Sequence, residues 1–264
     1  PGFLGPGQKV LFTTFTRNLA EDLSHSFDLL CGAERDKIEV RNLHAVASDL
    51  LARRGVKPKI LKAEQRDSLW NEALDSLGSL PFPASFYRDE WELVVQAQNV
   101  TTEADYLRAR RTGRGTAVTR QQRKEIWKVL SSYRSKLNEH GLIEHADVVR
   151  EAMFWLRDKP SSVNYRAVVV DETQDLRQAD LDFLRSLVPE APSDLFLVGD
   201  AHQRIYAHTA SLSRAGIQVR GRRSRQLRVN YRTTQGIRNW ALALLAGVEV
   251  DDLDEGKDTS KGYH

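Results

Sequence analysis

The sequence is poor in several features that would mark a specialised class of protein. Its 264 residues contain one cysteine, Cys31, which excludes an internal disulfide and fits a reducing compartment such as the cytoplasm. No apolar run approaches the length that spans a bilayer, and no secretory signal is visible at the N-terminus. No cysteine and histidine cluster has the spacing of metal ligands. These absences favour a cytoplasmic globular protein.

Neither positive nor negative charge dominates the sequence, since the formal net charge is only +3 at pH 7. A hydrophobic content of 41% and a charged content of 28% are ordinary values for a globular protein. Basic residues are nevertheless concentrated in two regions, residues 108–128 and 214–228. Clustered arginines suit phosphate groups, because guanidinium binds them in a bidentate manner. A solvated charged surface is the equally good alternative.

The most informative stretch that is present reads V-V-V-D-E-T-Q-D over residues 168–175. Its three valines predict a buried strand, and Asp171 and Glu172 follow where that strand ends. In open α/β sheets, ligands bind at the carboxyl ends of the strands. An acidic pair there suits Mg²⁺-nucleotide chemistry, with Asp171 as the metal ligand and Glu172 as the group that orients and deprotonates a water. For this pattern alone, solvated acids at a strand end are the alternative.

Two later apolar runs end in the same way. Residues 195–198 lead into G-D-A-H-Q-R-I-Y, and residues 226–229 lead into N-Y-R-T-T. Gly199 is expected to allow a sharp turn of the backbone. Three predicted strands thus each end in polar or aromatic residues. This pattern predicts a functional site at the ends of these strands.

Taken in order, DETQD, VGDAHQRIY and LRVNYRTT resemble motifs II, III and IV of superfamily 1 DNA helicases of the UvrD/Rep/PcrA type. Residues 10–20 and 40–45 are similar to motifs Ia and Ib of the same family. The resemblance implies an α/β fold, with a RecA-like parallel sheet of the P-loop NTPase type and an all-helical inserted subdomain. It also implies ATP and Mg²⁺ as cofactors and 3′-to-5′ movement on single-stranded DNA.

Roles for individual residues on the nucleotide side follow from this resemblance. Asp171 and Glu172 would hold Mg²⁺, and Gln203 would sense the γ-phosphate. Tyr231 would stack on the adenine, and Arg232 would contact the γ-phosphate and neutralise transition-state charge. Ordinary packing for Tyr231 and a loop cap for Gln203 are the alternatives.

On the DNA side, the resemblance implies contacts from Phe15, Thr16, His44 and Tyr206. Single strands bind by base stacking on aromatic rings together with backbone contacts. Core burial of Phe15 and a helix-start cap by His44 are the alternatives. After Tyr206, the Trp and Arg that the family often has are replaced by A-H-T, which leaves the DNA grip at that point open.

One family element is missing from the sequence: no G-x-x-x-x-G-K-[ST] pattern occurs in it. In the family this P-loop precedes motif Ia, so it is expected upstream of Pro1. The chain also begins with Pro and contains one methionine, Met153. We therefore expect a fragment that hydrolyses ATP poorly by itself, with a degenerate protein that lacks a P-loop as the alternative.

Strand and helix patterns alternate at both ends of the chain. They predict strands at 9–15 and 37–41, and helices at 17–30 and 44–53. Between them, long helical periodicities at 126–137 and 142–156 indicate the insertion. The predicted organisation is a RecA-like motor domain at 1–61 and 159–250, a helical insertion at 62–158, and an acidic start of a linker to a second domain at 251–264. Trp155 and Trp240 are expected in the core.

The leading hypothesis is part of an ATP-dependent DNA helicase or translocase, whose partner is single-stranded DNA or a DNA junction with single-stranded tails. The alternative is a non-catalytic relic or regulatory module that binds single-stranded nucleic acid. A third possibility, an unrelated α/β NTPase with an accidental DETQD match, is disfavoured because motifs III and IV follow in register.

Overall fold

A parallel sheet is the central element of the fold in the computed structural model. The structure describes residues 3–14, 16–78, 80–111, 114–203, 210–219, 223–225, 227 and 233–244. The described strands are β1 (Lys9–Thr14), β2 (Ile38–Asn42), β3 (Lys59–Ile60), β4 (Leu142–Ile143), β5 (Tyr165–Val170) and β6 (Leu195–Leu197). Four of them pair in the order β2-β1-β5-β6, and every pairing is parallel. The predicted α/β class with a parallel sheet is confirmed.

Helices fill the connections between these strands, as parallel pairing requires. The described α-helices are α1 (Arg17–Leu30), α2 (Leu43–Arg53), α3 (Ala63–Asp75), α4 (Ala84–Glu90), α5 (Glu103–Arg108), α6 (Arg120–Glu139), α7 (His145–Asp158), α8 (Gln178–Ser186) and α9 (Gln235–Leu244). A π-helical turn, Trp91–Gln96, follows α4 directly.

Side-chain caps explain why α1 and α2 begin where the sequence predicts. The Thr16 hydroxyl accepts a hydrogen bond from the Leu19 N–H at 3.3 Å, and the side-chain oxygen Oδ1 of Asn42 accepts one from the Ala45 N–H at 3.2 Å. Each cap satisfies one of the N–H groups that a helix start leaves unpaired. Both helices therefore start directly at the carboxyl ends of their strands.

One apolar core covers one face of the sheet. Buried residues of β1 and β5, including Leu11 and Val168, pack there against the apolar faces of α2, α7 and α8. On the other face, Phe12 of β1 meets Phe27 of α1 edge to face, with ring centroids 5.2 Å apart. Trp155, which was expected in the core, is only partly buried and packs against this first core.

A second apolar core lies within α3 to α6 and the π-helical turn. At its centre, Trp70 stacks on Tyr133 with ring centroids 3.9 Å apart, and Trp91 meets Tyr133 edge to face at 5.1 Å. This core belongs to the helical insertion that the sequence predicts. At its base, β3 and β4 add a two-residue parallel pair to the helices. The boundaries predicted for the insertion stay a prediction.

The half-buried Glu144 joins the two cores. It precedes α7 and accepts hydrogen bonds from the Trp91 indole N–H at 2.7 Å, the Tyr133 hydroxyl at 2.9 Å and the Gln96 side-chain amide. Burial raises the pKa of Glu144, although these three donors oppose the rise. Because the donors come from the insertion and the acceptor starts a helix of the first core, this contact fixes the insertion against α7.

The arginines near residue 111 bind a protein carboxylate, not solvent. Glu90 is fully buried, and Arg111 donates to both of its carboxylate oxygens at 2.6 and 2.8 Å, while Arg114 donates at 3.1 Å. Tyr106 adds a hydroxyl donor at 2.7 Å. The side chains of Arg111 and Arg114 are only 7% and 9% exposed. For these two residues, both alternatives drawn from composition, a phosphate contact and a solvated surface, are wrong.

Arg123 and Trp240 also depart from expectation. The Arg123 guanidinium donates to the carbonyls of Tyr106, Leu107 and Ala109, so it caps the end of α5. Trp240 is 69% exposed, so its predicted place in the core is wrong. The apolar stripe of α9 exists, but the described residues place nothing over its Trp240. In the second basic region, residues 214–228, only positions 220–222, 226 and 228 lie outside the described residues.

Replacing the buried carboxylate should destabilise the insertion. Glu90→Gln removes the charge that two buried guanidinium groups require, and breaking such a pair costs about 3–5 kcal/mol. Urea unfolding measures the change. Asp89→Asn is the matched control, because Asp89 is 57% exposed and meets Arg114 at 3.5 Å only. The control should change the free energy of unfolding by less than about 1 kcal/mol, and an equal effect of the two variants would contradict this account.

The same cluster predicts a dependence of stability on pH. Burial alone would raise the pKa of Glu90, but hydrogen bonds from Arg111, Tyr106 and Arg114 outweigh it and lower that pKa below its ordinary 4.5. A carboxylate whose pKa is lower in the folded protein than in the unfolded chain stabilises the fold above pH 4.5. This stabilisation is lost as the pH falls through the pKa of the folded state. Acid titrations of unfolding should therefore show a weaker loss in Glu90→Gln, and identical curves would contradict the assignment.

Candidate functional site

The predicted site residues of the described chain follow strands that end at one edge of the sheet. In the register of the parallel pairs, Thr13 lies beside Val170 and Thr14 lies beside Asn42. The Asp171 N–H continues this pairing by donating to the Thr13 carbonyl at 3.0 Å. Thr16, His44 and Asp171 therefore leave three neighbouring strands in the same direction.

Glu172 holds an unusual backbone conformation at this edge. Its φ of 55° and ψ of 41° lie in the left-handed region, which costs energy for a residue with a side chain. Its N–H donates to Asp171 Oδ1 at 3.0 Å, and its carbonyl accepts from the Asp175 N–H at 3.1 Å. Such strain is often found where a side chain must be aimed. The strained residue here is one of the two acids at the end of β5.

Gln174 bridges the exits of β5 and β6. Its side chain is 3% exposed, and its Nε2 donates to Glu172 Oε2 at 2.6 Å. Its Oε1 accepts from the Asp200 N–H at 3.0 Å. The nitrogen of this buried amide is thus hydrogen-bonded to the acidic pair, and its oxygen is hydrogen-bonded to the segment that follows β6.

Position 199 requires glycine because atoms of neighbouring residues lie very close to it, and not because its backbone is left-handed. A Cβ at this position would lie 2.8 Å from Gln174 Oε1 and 3.2 Å from both the Gln174 nitrogen and the Thr173 Cβ. Its φ is outside the left-handed region. The expected sharp turn is therefore not the reason for this glycine. Only a residue without a side chain lets the segment after β6 reach the Gln174 amide.

Asp200 organises the segment that contains Gln203, and sequence reasoning gave it no role. Its Oδ2 accepts from Gln203 Nε2 at 2.9 Å, and its Oδ1 accepts from the His202 N–H at 3.0 Å. The His202 ring lies 3.2 Å from the same oxygen. The exposed Gln203 side chain is thus held by Asp200 and not by a backbone group. The signal that could have pointed to Asp200 is its position directly after Gly199.

The residues predicted on the DNA side are only partly described. Thr16 is exposed, and its hydroxyl caps α1, which still leaves its O–H free to donate. His44 is half-buried in the first turn of α2 and is not the cap, because Asn42 fills that role. Its ring meets the His145 ring edge to face at 5.6 Å. Phe15 and Tyr206 lie outside the described residues.

The other half of the predicted nucleotide site also falls beyond the described ranges, because Tyr231 and Arg232 are not among them. The motif IV strand predicted at residues 226–229 is likewise described only at Leu227, which is 82% exposed. Their predicted roles stay predictions.

The acidic pair fits the demands of Mg²⁺. Asp171 uses Oδ1 and Glu172 uses Oε2 in the hydrogen bonds above, so each carboxylate keeps a second oxygen. Beside them, the hydroxyls of Thr13 and Thr173 are buried and have no hydrogen-bond partner among the described residues. Mg²⁺ is commonly bound by one or two carboxylates plus waters and substrate phosphates. The described residues contain no group of three or more acidic, histidine or cysteine side chains that could hold a metal ion.

Comparison with known protein families identifies the family of this chain. The model of the UvrD/REP helicase N-terminal domain matches residues 6–214, which is most of the chain. No curated protein matches the chain. Within the described part of the chain, no helix is long and apolar enough to cross a bilayer.

A side chain at position 199 should break the bridge between the two strand exits. In Gly199→Ala the new Cβ would overlap the Gln174 amide, and overpacking of this kind costs about 1–3 kcal/mol. Thermal unfolding measures the loss. Gly236→Ala is the matched control, since nothing lies within 4 Å of a Cβ built at this position in the first turn of α9, so the change should be neutral or slightly stabilising. Unchanged stability of Gly199→Ala would contradict the close approach.

Proposed function

This chain belongs to the UvrD/REP helicase family, and we propose that it forms part of the first motor domain of an ATP-dependent helicase or translocase. Its substrate would be single-stranded DNA, or a DNA junction with single-stranded tails, and movement would run 3′ to 5′ by analogy with the family. We place it in the cytoplasm, in keeping with its single cysteine. The observation that supports the proposal most is the bridge by Gln174 from the acidic pair to the segment of Gln203.

In this proposal Asp171 and Glu172 bind Mg²⁺ through the carboxylate oxygens that their local hydrogen bonds leave free. When bound, the ion would neutralise charge on the nucleotide phosphates. Glu172 would orient and deprotonate the attacking water, and its left-handed backbone would hold the carboxylate in place. Most of the catalytic gain in phosphoryl transfer comes from positioning and electrostatics, which a fixed carboxylate supplies.

Nucleotide state would be transmitted through Gln203 and Asp200. A phosphate that accepts from the Gln203 amide would replace Asp200 Oδ2 as its partner. Asp200 is also held by Gln174 through its backbone N–H, so the change would reach the acidic pair. Tyr231 would stack on the adenine and Arg232 would neutralise developing charge, both as the family resemblance implies. Tyr206, three residues after Gln203, would transmit the change to DNA.

DNA would lie along the ends of β1 and β2. Phe15 would stack on a base, and Thr16 and His44 would contact the phosphate backbone. The exposed Thr16 and the half-buried His44, which begin neighbouring helices at this edge, support this path.

A second function has one observation in its favour. Because no G-x-x-x-x-G-K-[ST] pattern occurs in the 264 residues, a non-catalytic module that binds single-stranded nucleic acid is the alternative. The two functions differ in whether the complete gene product hydrolyses ATP.

Removing the proposed base should abolish hydrolysis. In the complete gene product, Glu172→Gln should lower the single-stranded-DNA-stimulated ATPase rate by about a hundredfold or more, because general bases contribute that much. Glu190→Gln, which alters an exposed acid beyond α8, is the control and should keep the rate. Equal rates for Glu172→Gln and the unaltered protein would contradict the proposal. No ATPase in either protein, with DNA binding intact, would favour the non-catalytic module.

A further inference from the structure

A second buried amide, Gln178, holds the chain beyond the segment of Gln203. Gln178 is the first residue of α8, and its side chain is buried. Its Oε1 accepts from the Ser211 N–H at 2.9 Å, and its Nε2 donates to the Ser211 carbonyl at 3.2 Å. One side chain therefore pairs with both backbone groups of a residue 33 positions away, as a neighbouring strand would.

The orientation of the Gln178 amide is fixed by its partners. Besides the Ser211 carbonyl, Nε2 donates to Asp182 Oδ1 at 3.1 Å, one turn further along α8. An amide rotated by half a turn would place its oxygen against the Asp182 carboxylate and its nitrogen against the Ser211 N–H. Only one orientation therefore satisfies all three hydrogen bonds.

Ser211 begins a turn that lies against the first core. Ser211 is fully buried, and the neighbouring Leu212 is part of that core. The Ser211 carbonyl also accepts from the Ala215 N–H at 3.3 Å, and its hydroxyl accepts from the Arg214 N–H at 3.3 Å. Because a buried backbone group without a partner costs free energy, the Gln178 amide stabilises the position of this turn against α8.

Gln174 and Gln178, four positions apart in the sequence, thus hold both ends of one stretch of chain. Gln174 contacts Asp200, where this stretch begins, and Gln178 contacts Ser211, where it ends. Leu176, between the two glutamines, belongs to the first core, so both contacts start from one well-packed support. Fixing both ends of a stretch of chain restricts the positions that its middle can reach.

We propose that Gln178 is a positioning residue for DNA binding, which holds Ser211 and thereby restricts where the stretch from Asp200 to Ser211 meets the nucleic acid. This inference rests on the proposed function, in which Tyr206 of that stretch transmits the nucleotide state to DNA. Gln178 acts through Ser211 and contacts neither the nucleic acid nor the nucleotide.

Binding of a labelled oligothymidylate of about 16 nucleotides to the full chain tests the proposal by fluorescence anisotropy. Gln178→Ala should weaken binding about tenfold, because it removes the partner of the buried Ser211 N–H and releases one end of the stretch. Gln121→Ala is the matched control. Gln121 is exposed on α6 and donates to Glu125 at 3.3 Å, so binding should stay within about twofold.

Gln178→Glu is a second variant that keeps the size of the side chain. Its carboxylate can still accept from the Ser211 N–H, but it cannot donate to the Ser211 carbonyl and would lie against the Asp182 carboxylate. Binding of the oligonucleotide should therefore weaken by about fivefold or more. Unchanged affinity in this variant and in Gln178→Ala would overturn the assignment.

Leu51→Ala separates positioning from a general loss of stability. Leu51 is fully buried on α2 in the first core, so this change should lower the thermal midpoint at least as much as Gln178→Ala. Below both midpoints, Leu51→Ala should bind the oligonucleotide within about twofold of the unaltered chain. If it weakens binding as much as Gln178→Ala, loss of stability explains both effects and the positioning role is wrong.

Two outcomes separate this inference from the proposed function. If the unaltered chain binds the oligonucleotide and both Gln178 variants bind it equally well, only this inference fails. If the unaltered chain does not bind the oligonucleotide at all, the DNA-binding part of the proposed function fails, and this inference fails with it.

Discussion

The side-chain amide of Gln174 holds together the two strand exits on which the candidate site depends. It is almost fully buried, and it donates to Glu172 while accepting from the Asp200 N–H. A buried amide with both ends satisfied stabilises one arrangement, because any shift of either partner leaves a polar group unpaired. The left-handed Glu172 and the side-chain-free Gly199 lie on the two sides of this contact. The bridge therefore gives the proposed motor a direct connection from its acidic pair to the segment of Gln203.

The insertion is built around carboxylates of a different kind. Glu90 gathers two guanidinium groups, and Glu144 gathers three neutral donors from the second core. Hydrogen bonds from Arg111, Tyr106 and Arg114 lower the pKa of Glu90, whereas burial raises the pKa of Glu144, whose hydrogen-bond donors are neutral. The arginines that look most suited to phosphate in the sequence are thus used inside the protein.

Much of the fold could be predicted from the sequence because local patterns determine it. The valines before Asp171 predict β5, and the apolar spacing from Ile126 to Leu137 predicts α6. The partner of Arg111 could not be predicted, since the same arginine suits a phosphate or a carboxylate 21 residues away in sequence. The exposure of Trp240 could not be predicted either, because an apolar stripe reports amphipathicity and not what covers it.

For the candidate site, the sequence located the acidic pair, but the tertiary contacts were beyond it. Gly199 was expected to serve a turn, whereas its role depends on where the Gln174 side chain lies in space. Asp200 was overlooked because its partners, Gln203 and His202, are reached through a turn that local patterns do not define. The contact between His44 and His145 joins residues about a hundred positions apart.

The most direct test of the account is the ratio of ATPase rates with and without saturating single-stranded DNA, measured in the complete gene product and in its Gln174→Ala variant. If the amide bridge couples the acidic pair to the segment that senses nucleotide and leads to DNA, the ratio in the variant should fall toward one. A variant that hydrolyses ATP with the same stimulation by DNA as the unaltered protein would contradict the coupling and leave Gln174 as a packing residue.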